Sequence, residues 1–219
     1  MKKYRVKEIF GPTLQGEGAY VGTPCFFLRF AGCNKWNGRA DSKPASICNY
    51  CDTDFVGGEL MTWEEIVETL DGLLSHHENV QTLVISGGEP AMQVDHQLCF
   101  ELAKMFDLHL ETNGSIDIKP EVADLFTHIT ISPKQNFVRT IAHPFGDSFK
   151  FLYPWVGDEI DPISFNKDYY DLTGCELPEV YIQPIERNGE TPHMKEVIDL
   201  CLKHNWRLSK QIHKELALK

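Results

Sequence analysis

The chain has 219 residues, of which 42% are hydrophobic and 24% are charged, and its formal net charge at pH 7 is −11. This composition is typical of a soluble globular protein, and no apolar run approaches the roughly 18 residues that a membrane span needs. The excess of acidic residues disfavours a long contact with nucleic-acid phosphates, which depends on lysine and arginine, and it favours a small substrate.

The first ten residues, "MKKYRVKEIF", are basic, but the apolar stretch of a secretory signal does not follow them, so we expect a cytoplasmic protein. Thiols stay reduced in that compartment, and the seven cysteines are expected to be ligands, reactive groups or core residues. The tail "KHNWRLSKQIHKELALK" spreads its positive charges among apolar residues, which favours a solvated face with one or two site residues over a nucleic-acid patch.

Short apolar segments rich in β-branched and aromatic residues recur along the chain and are predicted to be strands. In chain order they cover residues 26–30, 82–86, 108–112, 129–132, 149–153 and 180–183. Helical patterns lie between several of these segments. The clearest pattern runs from Trp63 to Leu74 after a capping box of Thr62 and Glu65, and a weaker one covers about residues 93–106.

A third helix is predicted after the segment "NGETP". Asn188 and Gly189 make a turn there, Thr191 is expected to cap the helix, and Pro192 suits its first position. Residues 154–178 show neither the helical nor the strand period, so they are expected to form an irregular excursion or a lid.

Strands that alternate with helices predict a mostly parallel sheet. In such folds the chemistry lies at the carboxyl ends of the strands, whether the sheet closes into a barrel or stays open. Polar loops follow predicted strands in this sequence, so we expect them to converge on one rim. These loops are "SGGEP" (86–90), "ETNG" (111–114), "SPK" (132–134) and "QPIE" (183–186).

Cys33, Cys48 and Cys51 form a C-x14-C-x2-C pattern. A C-x2-C pair suits zinc and an iron–sulfur cluster equally well. A closed zinc site needs four ligands, but no further cysteine or histidine lies between Cys33 and Cys51, and the nearest histidine is His76. A cluster with three cysteine ligands would leave one iron open for chemistry, so the cluster is favoured and zinc remains the alternative. The remaining cysteines are expected to be structural thiols: Cys25, Cys99, Cys175 and Cys201.

The sequence resembles the 7-carboxy-7-deazaguanine synthase family of radical S-adenosylmethionine (SAM) enzymes in eight ordered segments. They are "FGPTLQGEG", "FFLRFAGC", "CNYCDTDF", "SGGEP", "ETNG", "ISPK", "YIQPIE" and "WRLSKQIHK". The long first cysteine interval departs from the usual C-x3-C-x2-C motif of radical SAM enzymes and is similar to that of a subgroup of this family. The sequence leaves open whether the inserted residues 34–47 form a helix or a loop.

The resemblance implies an α/β fold with mostly parallel strands, an incomplete TIM-like β/α barrel of the radical SAM type, as one domain over residues 1–219. It also implies a carbon–nitrogen lyase that converts 6-carboxy-5,6,7,8-tetrahydropterin to 7-carboxy-7-deazaguanine with loss of ammonia. This reaction serves the biosynthesis of 7-deazapurines such as the queuosine base. Implied partners are a reductant protein such as a flavodoxin or ferredoxin and a second copy of the chain in a homodimer, with no nucleic acid and no membrane.

The same resemblance implies a 4Fe-4S cluster on Cys33, Cys48 and Cys51, SAM on its fourth iron, and Mg²⁺ on Thr53, with no catalytic residue beyond cluster and SAM. Without the resemblance, Thr53 and its acidic neighbours would be interpreted as an Asx-type turn. Expected SAM contacts are Tyr50, Cys51, Asp52, Gly88, Ser132, Pro133, Lys134, Gln183, Pro184, Ile185 and Glu186. Expected substrate contacts are Leu14, Gln15, Gly16, Glu17, Arg29, Ser86, His213 and Lys219.

Several of these residues have a plain structural alternative. Arg29 lies in an apolar strand, where a guanidinium needs an anion, and an internal Glu or Asp would serve as well as a substrate carboxylate. His213 alone would be interpreted as an ordinary surface or core histidine, and Lys219 as a solvated chain end. For the whole chain, the alternatives are an activating enzyme that places a radical on a partner protein and a zinc-stabilised binding module without catalysis.

Overall fold

The computed structural model describes residues 2–135, 146–155, 160–187 and 189–219. The strands in this part of the chain are β1 (Tyr4–Leu14), β2 (Pro24–Phe30), β3 (Glu59–Met61), β4 (Thr82–Gly87), β5 (Asp107–Thr112), β6 (His128–Ile131), β7 (Ser148–Tyr153), β8 (Glu179–Pro184) and β9 (Arg207–Leu208). The α-helices are α1 (Trp63–Leu74), α2 (His96–Ala103), α3 (Pro120–Ala123), α4 (Pro162–Thr173), α5 (Met194–His204) and α6 (Ile212–Glu215).

All these strands belong to one sheet with the order β3-β1-β2-β4-β5-β6-β7-β8-β9. The pairs from β2 through β9 are parallel, whereas β1 is antiparallel to both β2 and β3. The two edge strands, β3 and β9, do not pair with each other, so the sheet stays open. The prediction of a mostly parallel, incomplete β/α barrel is therefore confirmed.

The six predicted strands are confirmed as β2 and β4 to β8, while β1, β3 and β9 were not predicted. Strand β1 is interrupted by two register shifts, between Val6 and Glu8 and between Phe10 and Thr13, and these break the alternation that marks a strand in sequence. Strands β3 and β9 have three and two residues, too few for any pattern to show.

The helix predictions have mixed outcomes. The capping box before α1 is present, because Thr62 N–H donates to Glu65 Oε2 at 2.7 Å and Glu65 N–H donates to Thr62 Oγ1 at 3.3 Å. The predicted start of the third helix is wrong. Helix α5 begins at Met194, whose N–H donates to the Thr191 carbonyl in a turn that precedes the helix.

Residues 162–173, within the stretch predicted to be irregular or a lid, form α4. Its apolar stripe is narrow, because only Pro162, Phe165 and Tyr169 are buried, and this explains why no helical period was visible. Residues 156–159 of that stretch, and Asn188 of the predicted turn, lie outside the described residues. None of the helices in the described ranges is long and apolar enough to span a bilayer.

The central strands have an apolar face that packs against the helices. Their other face, which we call the inner face of the sheet, is polar. On β7, Phe149 and Phe151 belong to the apolar core, and Ser148 and Lys150 alternate with them. Because side chains alternate along a strand, the polar set lies on the opposite face from the core. The inner face of the sheet is thus lined with groups that can bind a polar ligand.

The inserted residues 34–47 form a folded loop with one short 3-10 helix, Lys43–Ala45. The Trp36 ring packs edge-on against Phe55, with ring centres 5.5 Å apart, and its indole N–H donates to Ser42 Oγ at 3.1 Å. These contacts fix the loop between the first and second cysteines of the C-x14-C-x2-C pattern.

Candidate active site

The four polar loops that follow β4, β5, β6 and β8 line a single cleft together with the three cysteines of the C-x14-C-x2-C pattern. We call this the cysteine cleft, and its empty space is about 1010 Å³ including its open mouth. All the residues predicted to contact SAM line it except Pro133. A cleft of this size at the carboxyl ends of parallel strands is the usual place for a cofactor in such folds.

The glycine-rich loop after β4 packs directly against the loop that carries Cys33. A Cβ atom on Gly88 would lie 2.2 Å from the Gly32 carbonyl oxygen and 2.8 Å from the Cβ of Cys33. Both neighbours are held by the backbone, so any side chain at this position would force the two loops apart. The glycine is therefore required for the cysteine loop to approach the sheet.

The three thiols share one wall of the cleft and are reduced. Burial raises the pKa of Cys48, the nearby Lys134 ammonium opposes this rise, and the other two thiols add to it. Within the described ranges, no three His, Cys, Asp or Glu side chains are close enough to hold one metal ion. Thiolates suit zinc and an iron–sulfur cluster alike, but three of them leave a closed zinc site one ligand short, so the donor set fits a cluster with one open iron.

Glu89 joins the glycine-rich loop to the loop after β5. Its side chain is fully buried and accepts hydrogen bonds from Ala91 N–H at 2.9 Å, Thr112 Oγ1 at 2.6 Å and Asn113 N–H at 2.7 Å. Burial raises the pKa of Glu89, and these donors oppose the rise. The residue therefore fixes the relative position of two loops that line the cleft.

A buried ion triad lines the cleft. Lys150 Nζ is 2.6 Å from Glu17 Oε1 and 2.8 Å from Glu111 Oε2, and the lysine side chain is only 4% exposed. Burial alone would raise the pKa of Glu17, but the Lys150 ammonium outweighs it and holds this pKa at about 2. Burial raises the pKa of Glu111, which shares the same ammonium with Glu17.

A second cavity adjoins the cysteine cleft, and its empty space is about 1140 Å³ including its mouth. All eight residues predicted to contact the substrate line this second cavity, together with Thr53. The residues that line both cavities are Glu17, Asp52, Thr53, Glu111 and Gln211. The structure thus brings the predicted substrate contacts to one place, next to the predicted SAM contacts.

The C-terminal segment forms one side of the second cavity. Ile212 N–H donates to the Gly16 carbonyl at 2.9 Å, and a Cβ on Gly16 would lie 1.9 Å from Nδ1 of His213. Lys214 Nζ pairs with Asp52 Oδ2 at 2.5 Å. The segment after β9 is therefore held against both the loop after β1 and the cysteine loop.

Arg29 pairs with Glu8, which was the alternative that the sequence left open. Arg29 Nε is 2.9 Å from Glu8 Oε1, and Lys219 Nζ is 2.8 Å from Glu8 Oε2. Burial alone would raise the pKa of Glu8, but the two cations lower it below the ordinary value. The Lys219 side chain is not simply solvated, although 66% of it is exposed.

No role was predicted from the sequence for Lys150, Glu89 and Glu111. Lys150 could have been found, because a lone cation in the apolar segment "SFKFLY" is the same signal as Arg29 in its strand. Glu89 and Glu111 lie inside motifs that were recognised, but their partners come from other strands.

The chain is similar to known proteins in both sequence and fold. A model of the Radical SAM superfamily matches residues 45–133. The chain is 36% identical to a 7-carboxy-7-deazaguanine synthase of Burkholderia multivorans, over 98% of this chain and 99% of the relative. It is 35% identical to the Bradyrhizobium diazoefficiens protein of the same name, over 99% of both.

The fold is similar to that in the crystal structure of QueE from Escherichia coli. The TM-score is 0.64 at 22% sequence identity, over 95% of this chain and 94% of that one. This similarity supports the fold, and the sequence relatives, which align over nearly their whole length, support the family. The chain belongs to the 7-carboxy-7-deazaguanine synthase family of radical SAM enzymes.

Proposed function

We propose that this protein, as a single radical SAM domain, converts 6-carboxy-5,6,7,8-tetrahydropterin to 7-carboxy-7-deazaguanine and ammonia, a step toward 7-deazapurines such as the queuosine base. The observation that carries the proposal is the pair of adjoining cavities. One contains the three cysteines and the glycine-rich loop, and the other contains the predicted pterin contacts. Side chains that line both cavities would lie between a bound SAM and a bound pterin.

In the cysteine cleft, Cys33, Cys48 and Cys51 would hold a 4Fe-4S cluster. With SAM bound, this group supplies the one-electron reduction and the radical that removes hydrogen from the substrate. Lys134 Nζ, 2.6 Å from Ser132 Oγ, offers a partly buried cation for the SAM carboxylate. Burial lowers the pKa of Lys134, and the Cys48 and Cys51 sulfurs oppose this shift.

In the second cavity, the pterin would present amide and amino donors to the carboxylate of Glu17, which is a natural acceptor for such groups. Arg29 would bind the substrate carboxylate with guanidinium nitrogens other than its Nε, which is paired with Glu8. Glu17 and Arg29 would thus hold different groups of the substrate within one cavity.

Thr53 is proposed as the Mg²⁺ ligand, because it lines both cavities and supplies an oxygen donor. Its acidic neighbours are already engaged: Asp52 pairs with Lys214, and Asp54 pairs with Lys7 at 2.7 Å. The turn expected from sequence is also present, since Val56 N–H donates to Asp54 Oδ1 at 3.1 Å. The substrate carboxylate and water would complete the ion's shell.

The remaining proposals rest on the resemblance and on the chemistry. A reaction started by single electrons needs a one-electron donor, for which a flavodoxin or ferredoxin is suited. A homodimer in the cytoplasm is proposed as the working form. The activating-enzyme alternative would leave the eight residues gathered in the second cavity without a role.

The test is to purify the chain without oxygen, reconstitute it with iron and sulfide, and measure metal content, 5′-deoxyadenosine and products with SAM and reductant. About four irons per chain and pterin-dependent formation of 7-carboxy-7-deazaguanine are expected. SAM cleavage without conversion of the pterin would favour the activating enzyme. Zinc without a chromophore would favour the binding module.

A matched pair of cysteine variants tests the ligand set. Cys33→Ala is expected to abolish both the cluster and turnover, because three thiols are the minimum that holds a cluster with one open iron. Cys99→Ala is expected to keep both, because Cys99 is fully buried in the apolar core on α2. Equal loss of iron in the two variants would show that the proposed ligand set is wrong.

A further inference from the structure

A row of hydrogen-bonded side chains leads from Glu111 away from the two cavities. The Thr130 hydroxyl bonds the Glu111 carboxyl, Ser148 Oγ donates to Thr130 Oγ1 at 3.3 Å, and His128 Nε2 lies 2.9 Å from Ser148 Oγ. Thr130, Ser148 and His128 are all buried. We call Glu111, Thr130, Ser148 and His128 the barrel row.

The register of the sheet explains why these residues meet. Glu111 is opposite Thr130 across β5 and β6, and Thr130 is opposite Ser148 across β6 and β7. His128 precedes Thr130 by two positions on β6, so its side chain projects from the same face. The row therefore runs along the inner face of the sheet.

The barrel row runs from the amino end of the sheet to the cavities at its carboxyl end. His128 is the first residue of β6, whereas Glu111 lies near the carboxyl end of β5, where the cavities are. Beyond His128 lies Tyr20, whose ring centre is 4.9 Å from that of His128 and 4.1 Å from that of His109. Tyr20 is partly exposed, so the far end of the row comes close to solvent at the amino end of the sheet.

Each member of the barrel row can both give and receive a proton. Every hydroxyl can donate to the next group while it accepts from the previous one. With the proton of His128 on Nε2, all the bonds point toward Glu111: His128 donates to Ser148, Ser148 to Thr130, and Thr130 to Glu111. Such an ordered series is what proton transfer through buried groups requires.

Burial shifts the pKa at both ends of the barrel row toward the neutral form. Burial lowers the pKa of His128, and Asp147 and Glu179 oppose this, so the imidazole is neutral near pH 7. Burial and His128 lower the pKa of the adjacent His109 to about 4, against Asp107 and Asp147. At the other end, burial and Glu17 raise the pKa of Glu111, against Lys150 and Thr130.

We propose that Thr130, Ser148 and His128 form a proton path that connects Glu111 with solvent at the amino end of the sheet. The inference rests on the proposed function, because loss of ammonia requires a proton on the departing nitrogen. It adds to that function a route for protons that stays open when SAM and pterin fill the cavities. Glu111 is the member that would touch the substrate.

When the carbon–nitrogen bond breaks, its electron pair goes to nitrogen, and Glu111 gives that nitrogen a proton. The carboxylate then takes a proton from Thr130, Thr130 from Ser148, Ser148 from His128, and His128 from water. The substrate contains all the atoms of ammonia, so the proton it loses elsewhere balances this one. When the product is ammonium, one further proton enters from solvent.

The test compares Thr130→Val with Thr82→Val. The first removes a hydroxyl from the path with almost no change of shape, and the second does the same at a buried threonine at the start of β4, outside the barrel row. For Thr130→Val, kcat for pterin conversion is expected to fall by about 100-fold, the low end of what a positioned proton-transfer group contributes. The KM for pterin should stay near the wild-type value, and Thr82→Val should keep wild-type kcat.

Three further results separate a proton path from simple structural support. The solvent isotope effect on kcat should increase in Thr130→Val, and the defect should grow as pH rises and protons become scarce. Ser148→Ala should produce the same defect. The double variant should be no slower than either single variant, because both changes break one series path. A structural role would instead lower stability and leave the solvent isotope effect and the pH dependence of kcat at their wild-type values.

The pKa of Glu111 can also be measured in protein that does not turn over substrate. In the iron-free protein, the titration of the Glu111 carboxyl can be followed by infrared spectroscopy and assigned with Glu111→Gln. Thr130→Val should raise the Glu111 pKa, because the hydroxyl bond favours the ionised carboxylate. The proposal is overturned if wild-type enzyme makes product and both single variants keep kcat within about twofold at every pH. If wild-type enzyme makes no product from the pterin, the proposed function fails first, and the path falls with it.

Discussion

Replacing Lys150 with methionine tests the buried ion triad. Lys150→Met keeps the length of the side chain and removes its charge, so Glu17 and Glu111 would face each other without the cation that lies 2.6 and 2.8 Å from them. Removing one partner from a buried ion pair typically costs about 3–5 kcal/mol, because the remaining charge is left uncompensated. We expect a loss of this size in the free energy of unfolding at pH 8.

The pH dependence of this loss follows from the carboxyl groups. In the wild type, the Glu17 pKa of about 2 lies below its unfolded value of about 4.3, which corresponds to about 3 kcal/mol of stability. That stability is present above the unfolded pKa and is lost as pH falls toward 2. In Lys150→Met, burial and mutual repulsion would place both carboxyl pKa values above the unfolded ones. The folded variant then binds more protons than the unfolded chain, so its stability falls as pH rises.

The gap between wild type and variant should therefore widen from pH 5 to pH 8, and urea unfolding of the iron-free proteins at both pH values measures it. Lys104→Met is the matched control, because Lys104 pairs with Glu101 at 2.6 Å but is 52% exposed. An exposed pair contributes about 1 kcal/mol or less. A loss below about 1 kcal/mol for Lys150→Met, or a loss equal at both pH values, would refute the reasoning.

Two further predictions concern Gly16 and Glu89, which make close contacts in the loops of the site. Gly16→Ala should displace His213, because the new Cβ would lie 1.9 Å from its Nδ1. The KM for pterin should therefore rise about tenfold, which corresponds to ~1.4 kcal/mol. SAM cleavage in the absence of pterin should not change. Gly72→Ala, where nothing lies within 4 Å, is the control, and equal KM values in the two variants would contradict the prediction. Glu89→Gln should lower the free energy of unfolding by about 1–3 kcal/mol, because an amide NH₂ would replace one of the carboxylate oxygens that accept hydrogen bonds, such as the one from Asn113 N–H. Unchanged thermal unfolding would show that those donors find other partners.

The sequence predicted the central strands well, because they appear as short apolar segments rich in β-branched and aromatic residues. The residues 82–86 are an example, and they fall within β4. Strand β1 was missed because its bulges break the alternation. The start of α5 was missed because Thr191 and Pro192 carry a capping signal that the chain uses for a turn. Local signals of this kind are decided by tertiary contacts that sequence does not contain.

Some parts of the site could be predicted from continuous motifs, and others depend on contacts between residues that are far apart in sequence. Motifs located the loops, since each loop is a continuous segment at the end of a strand. The triad and the barrel row depend instead on which strand lies beside which, as when Glu111 on β5 meets Lys150 on β7. Glu17 joins them from the segment after β1, which is remote in sequence. Such sets become visible only when the register of the sheet is known.

The open sheet explains why the C-terminal segment takes part in the site. A closed barrel would pair its edge strands, whereas here the loop after β1 and the residues after β9 bond each other through side chains. Gly18 N–H donates to Ser209 Oγ at 3.0 Å, Ser209 Oγ donates to Gln183 Oε1 at 2.9 Å, and Gln211 Nε2 donates to Glu17 Oε2 at 3.1 Å. These bonds join polar groups across the gap in place of a strand ladder. The same gap holds the second cavity, so the incomplete barrel provides the space in which a substrate would lie against the cofactor cleft.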